Sequence, residues 1–425
     1  MTAAAPEGVR SPARPWRLMA ASSFRRLWTA QLLTLLGESF SFVAMAWLVL
    51  QLTGSGLALG TVLALEAVPR ALLMLVGGAL SDRLSPRRAM LGSAAARAVL
   101  IGLLALLILA HAVQLWHVYV VALLTGAVSA FFLPARFAIL PTVVADDQLE
   151  AGNALLNLNQ QASMFVGPAL AGVLVAAAGS GPAFLVDAAS FALASALLVA
   201  LPVAPAAAPA PAAPAATAAP DAPAAGGAGL LGDIRDGLRY AWNDVAIRAV
   251  LLLIAAIDFA SAGAMQVGLP VLAHQRFALG AAAFGSLLGA WGAGSAAGVV
   301  GAGLRRVPER FGALVIGGVA WFGACFAVLA VSPDLPVALA AAAAMGVSSG
   351  VLNTYGFTWL QRRSDVAMQG RVMAIVMLAS MGLAPVSLAV AGLVASQPTL
   401  LFLAAAAIVL AGAGGAALSR TVRSL

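Results

Sequence analysis

Lysine is absent from this 425-residue chain, cysteine occurs once, and only 9% of its side chains are charged. Each absence removes a class of chemistry. Without lysine there is no Gly-x-x-x-x-Gly-Lys-Ser/Thr phosphate loop, which disfavours direct ATP hydrolysis. Cys325 alone can form neither an intrachain disulfide nor a cysteine-based metal cluster, and His111, His117 and His274 have no metal-ligand spacing. No metal, cofactor or enzymatic activity is expected.

The 23 basic residues are therefore all arginine, and against 16 acids they give a net charge of +7. They form no patch or stripe of the kind that binds nucleic acid, but lie in small clusters between apolar runs. With 62% hydrophobic residues and a mean hydropathy of +0.99, the chain belongs in a lipid bilayer. A bilayer core takes about 20 apolar residues of helix. Such runs fall at 27–52, 56–81, 88–110, 116–137, 153–178 and 183–203, then at 246–272, 280–304, 311–331, 336–360, 371–395 and 398–418. Helices satisfy their own backbone hydrogen bonds in lipid, and the alternation of a membrane barrel is missing.

Arginine placement orients the spans, because short arginine-bearing loops stay in the cytoplasm. Arg83, Arg87 and Arg88 follow span 2, Arg305, Arg306 and Arg310 follow span 8, and Arg362, Arg363 and Arg371 follow span 10. On the other side Arg276 stands alone. Both termini are expected in the cytoplasm, with 1–26 and 419–425 as tails, and the run after residue 26 is too long for a signal-peptide core. The Ala/Pro segment 204–245 then tethers a six-helix bundle at 27–203 to a second at 246–418. Its end carries Leu231, Ile234, Leu238 and Trp242 on one helical face, as an interfacial helix would.

The halves repeat. "GALSDRLSPRR" from Gly78 lies over "GAGLRRVPERF" from Gly301 at an offset of 223, with Asp82 falling on Arg305. Nearly the same offset relates Glu38, in the middle of span 1, to Asp258, in the middle of span 7. Ionisable groups at mid-membrane are costly and mark functional sites, so both are candidates for proton coupling on a cavity wall. Glu66 and Arg70, four apart in span 2, can pair, with Arg97 of span 3 as an alternative partner for Glu66. Asn157, Gln160, Gln161 and Met164 in span 5, Gln266 in span 7 and Asn353 in span 10 are candidates for lining the cavity. Asp187, nearer the outer surface in span 6, reads as a snorkelling or capping group.

The run Gly78, Leu80, Asp82, Arg83, Arg87, Arg88 between spans 2 and 3 resembles the signature of the major facilitator superfamily (MFS), with Ser85-Pro86 in place of a glycine. Gly167, Pro168 and Gly172 in span 5 are similar to the antiporter motif of drug exporters, with Ser163 replacing its first glycine. "LLGESFSFVAMAWLVLQLTGS" and "LPARFAILPTVVADDQLEAGNAL" resemble the group containing enterobactin and macrolide exporters. The arginine-bearing motif of span 4 in proton-coupled exporters is absent from "VYVVALLTGAVSAFF".

The resemblance implies an all-α membrane protein with twelve transmembrane helices in two pseudo-symmetric six-helix bundles. It implies a bacterial inner-membrane, proton-coupled exporter of a siderophore or similar bulky metabolite, functional as a monomer. Multidrug or macrolide efflux is the alternative. A non-transporting membrane partner or sensor, tolerant of Glu38→Gln and Asp258→Asn, is the alternative of another class. It also gives Asp82 a task, latching onto the positive N-terminal end of span 11 near Gly370 and Arg371.

Overall fold

The computed structural model describes residues 15–81, 85–201, 239–240, 242–305, 311–364 and 368–424. Its first six long helices are α1 (Ser22–Thr53), α2 (Gly56–Ser81), α3 (Pro86–Leu109), α4 (Leu115–Ile139), α5 (Leu149–Ala178) and α6 (Ser180–Val199). The second six are α7 (Val245–Arg276), α8 (Ala281–Gly303), α9 (Phe311–Val331), α10 (Leu335–Arg363), α11 (Gln369–Val394) and α12 (Pro398–Leu418). Eleven of these are long and apolar enough to cross a membrane. The twelfth is α11, whose apolar part is Gly382–Val394. No strand occurs among the described residues.

The expected spans and the observed helices agree to within a few residues, and local chemistry sets the ends. Gly54 closes α1 in the left-handed conformation at φ 62°, its N–H bonding to the Leu50 carbonyl. Gly179, at φ 82°, is the single residue between α5 and α6. Ser85 caps α3 with Pro86 in the first turn, so the departure from the family glycine serves as a helix start. Asp244 and Asp334 cap α7 and α10 by accepting from backbone N–H groups. Inside α7 a π turn at Ala264–Gly268 precedes Pro270, which has no N–H to offer the Gln266 carbonyl.

Two arginines close helix ends from a distance. Arg87 Nε donates to the Leu198 carbonyl at 2.8 Å, and its guanidinium also reaches Val199 at the end of α6. Arg276 does the same at the opposite side, donating to Ala330 and Ser332 at 3.0 and 3.1 Å and to Thr399. Capping carbonyls explains an arginine on the side where loops otherwise carry none.

Short loops make successive helices antiparallel, so the 54–55, 179 and 395–397 connections share the end opposite the helical termini. There the halves meet through glycines. A Cβ on Gly60 would lie 2.9 Å from Gly392 Cα, joining α2 to α11, and one on Gly172 would lie 2.8 Å from Gly285 Cα, joining α5 to α8. Trp47 covers Gly280, and its ring lies 5.1 Å from that of His274, tilted by 56°. The Asp82–Arg83 turn, the 202–238 tether, Arg306 and Arg310 lie outside the described residues.

Candidate functional site

Five charged side chains from four helices line a cavity of about 270 Å³ within the first half. Helical spacing aims them inward: Thr34, Glu38, Ser41 and Met45 on α1, Leu63, Glu66 and Arg70 on α2, Arg97 and Ile101 on α3, and Thr125, Ser129, Phe132 and Arg136 on α4. Hydroxyls and charges thus share the wall with apolar side chains. None of the lining residues comes from α7–α12.

The central contact crosses from α3 to α1. Arg97 Nη1 stands 3.4 Å from Glu38 Oε1 and 3.3 Å from Ser129 Oγ, and its guanidinium lies 4.7 Å over the Phe191 ring of α6. The partners are unequally accessible, Glu38 being 41% exposed and Arg97 9%. Anything entering the cavity therefore meets the carboxylate first. Glu66 and Arg70 form the expected pair within α2. The alternative Glu66–Arg97 pair does not form, because the Arg97 side chain is held between α1 and α6.

The structure alters two expectations. The stretch "VYVVALLTGAVSAFF" carries no arginine, but α4 runs on through Pro134 and Ala135 to Ile139, so span 4 does carry an arginine, Arg136, at the cavity wall. Gln31 Oε1 accepts from its Nε at 3.1 Å and Gln160 Oε1 from its Nη2 at 2.9 Å, which ties the span 5 candidate Gln160 to the site. Asp187 is no snorkelling group, since it is wholly buried behind α1. A Cβ on Gly37 would lie 2.6 Å from Asp187 Oδ1, so the glycine before Glu38 is what lets α6 bring this acid so close. A glycine preceding the acid was the available signal, but it pointed only to Glu38.

Other candidates lie elsewhere. Asp258 is half-buried in the middle of α7 and does not line this cavity, Gln266 sits in the π turn, and Asn353 is exposed on α10. Asn157 and Met164 are exposed on α5, and Gln161 is half-buried. The antiporter-like motif packs two ways. Gly167 abuts Ser39 of α1, next to Glu38, while Gly172 abuts Gly285 of α8. Pro168 leaves the Met164 carbonyl without its helical donor, and Gly292 of α8 comes up against it, a Cβ there lying 3.1 Å from that oxygen.

A carboxylate held by one buried guanidinium has two exits, protonation or a competing cation, and either releases the arginine. A family model described as transmembrane secretion effector matches residues 13–424. The multidrug efflux pump Tap of Mycobacterium tuberculosis (strain ATCC 25618 / H37Rv) is 27% identical over 379 residues, covering 85% of this chain and 84% of Tap. Tap of Mycolicibacterium fortuitum is 27% identical over 374 residues, covering 84% and 85%. Among solved structures, the nucleoside transporter NupG superposes with a TM-score of 0.69 at 13% identity, covering 93% of this chain and 98% of that one. A bacterial homologue of the iron transporter ferroportin, in its inward-facing state, gives 0.68 at 15%, with the same coverage.

Proposed function

Since the chain belongs to the transmembrane secretion effector family of the major facilitator superfamily, a family of transporters rather than enzymes, we propose that this multi-pass efflux protein exports amphiphilic cations in exchange for protons. The observation that carries the reading is the Glu38–Arg97 contact, with its exposed carboxylate and buried guanidinium. A protonated amine can replace Arg97 at Glu38, and so can a proton, but not both together. That exclusion is what antiport requires. The apolar part of a cargo finds Leu35, Phe42, Met45 and Phe132 beside the carboxylate.

Multidrug cargo is favoured over a siderophore, because the curated relatives are named multidrug efflux pumps. At about 270 Å³ the cavity falls just below the roughly 300–1,000 Å³ typical of ligand pockets, so cargo enters as the halves part. The protein works in the bacterial inner membrane with both termini in the cytoplasm, and the glycine contacts at the far end close the outer side. One proton falling through 100 mV contributes about 2.3 kcal/mol to each turnover.

Everted vesicles given an inward-acid pH gradient and ethidium as cargo test this. Accumulation should collapse with the gradient and be lost in Glu38→Gln. Accumulation that survives collapse rules out proton exchange.

A further inference from the structure

Asp187 is the most enclosed acid of the cavity region, and nothing so far gives it work. It lies on α6 with no exposed surface, and neither carboxylate oxygen has a hydrogen-bond partner among the described residues. The charged groups acting on it are Arg97 of α3, Glu38 of α1 and Glu66 of α2. Ser41 of α1, which also lines the cavity, faces it without completing a hydrogen bond. Arg97 attracts and the two glutamates repel.

Arg97 stands between the two sides. Its Nη1 is spent on Glu38 and Ser129, while its Nε has no partner, and its guanidinium rests on Phe191, one turn along α6 from Asp187. A single guanidinium thus has an accessible carboxylate before it and an enclosed one behind it. An ionised carboxylate with no hydrogen bond and no contacting cation does not persist in an apolar interior.

We infer that Asp187 is the proton-carrying partner of the exporter and that Arg97 alternates between Glu38 and Asp187. When a cationic cargo occupies Glu38, Arg97 swings to Asp187, whose proton leaves along Ser41 to the cavity water. When cargo leaves, one proton returns to Asp187 and Arg97 returns to Glu38. The charge balances at each stage: the cation arriving at Glu38 replaces the guanidinium there, and the guanidinium replaces the proton on Asp187. Asp187 touches no cargo; it positions Arg97 and stores the proton. This deepens the antiport reading, moving the exchanged proton from Glu38 to Asp187, and rests on it.

The test uses purified full-length protein in liposomes, with ethidium as the probe and infrared difference spectroscopy as the readout. Wild type should show the carbonyl stretch of a protonated carboxyl at neutral pH, losing intensity when ethidium binds. Asp187→Asn should lack that band and lose gradient-driven uptake, yet keep ethidium counterflow, and Asp187→Glu should restore part of the gradient response. A band absent from wild type, unmoved by ethidium or unchanged in Asp187→Asn overturns the proposal, as does gradient-driven uptake intact in Asp187→Asn. If wild type ignores the gradient, the antiport reading fails by itself, and the band still decides whether Asp187 yields its proton to Arg97. Should Asp187→Asn not fold, the wild-type band with and without ethidium suffices.

Discussion

The two halves share a six-helix plan but not a chemistry. In the first, Glu38, Glu66, Arg70, Arg97, Arg136 and Asp187 all lie within α1–α6, five of them on one cavity wall. In the second, α8, α9 and α12 contain no charged residue, and Asp258 is the one acid inside the spans. What α8 and α10 have instead is glycine. Gly294 and Gly298 of α8 lie against the Ala343 and Val347 carbonyls, and Gly346 and Gly350 of α10 lie against α8 in return. A charged half and a glycine-rich half divide the labour. In the proposed antiport the first holds the exchanging groups, and the glycines of the second let α8 and α10 approach closely.

Neutralising the acids of each half separately is the strongest way to break that comparison. Glu38→Gln should reduce gradient-driven ethidium export to background, while Asp258→Asn should keep most of it, because Asp258 is off the cavity wall. Initial rates in everted vesicles decide. Equal losses would mean that the halves contribute alike and that the charge asymmetry is incidental.

The next effect concerns the seam between the halves. Gly172→Ala places a methyl 2.7 Å from the Ala281 carbonyl and 2.8 Å from Gly285 Cα, backbone that cannot step aside. Overpacking of this kind costs about 1–3 kcal/mol. Thermal unfolding in detergent should shift down and export should fall several-fold, whereas Gly317→Ala, in open space on α9, should change neither. Two equally silent alanines would remove the tight seam from the account.

Exchanging Glu66 and Arg70 with each other is a gentler probe. The pair is partly exposed, at 23% and 38%, so each single change costs little, and the double swap should restore whatever a single change removes. Folding, followed by thermal unfolding, should survive the swap. Preserved export would make the pair structural, and lost export would make its direction part of the cycle.

Most of the fold was legible because membrane helices advertise themselves: each span is a long apolar run, and Gly54, Gly179, Ser85 and Asp334 mark ends by known rules. Within the site, Glu38, Glu66, Arg70 and Arg97 were visible as charges in apolar sequence. Partner choice was not. Whether Arg97 meets Glu66 or Glu38 depends on how α3 packs between α1 and α6, which no spacing along one helix encodes. Arg136 stood out less, because it falls just past the uncharged stretch of span 4, and only the continuation of α4 through Pro134 to Ile139 brings it to the cavity wall. Asp187 was placed near the surface by its position in the chain, and only Gly37 on a different helix explains how it comes to be enclosed.

The smallest effect is also the clearest contrast in what a charge pair is for. Asp244, at the start of α7, accepts from the Ala246 and Ile247 N–H groups at 2.8 and 3.2 Å and from Arg363 Nε at 3.1 Å. It lies outside the spanning segments. Burial by itself would raise its carboxyl, but the two backbone N–H groups and Arg363 outweigh that and hold it below the ordinary range. A carboxyl lowered on folding stabilises the folded state above its unfolded value, about 3.9. That contribution fades as pH drops from there through the lower native value. Asp244→Ala should therefore cost about 1 kcal/mol at neutral pH as a lost helix cap. The gap to wild type should narrow as the pH falls below 4, measured by thermal unfolding across pH, with ethidium export at neutral pH unchanged. Breaking the Glu38–Arg97 pair in the first half should stop transport; breaking this one in the second should only loosen a helix end. Loss of export in Asp244→Ala without loss of stability would erase that distinction.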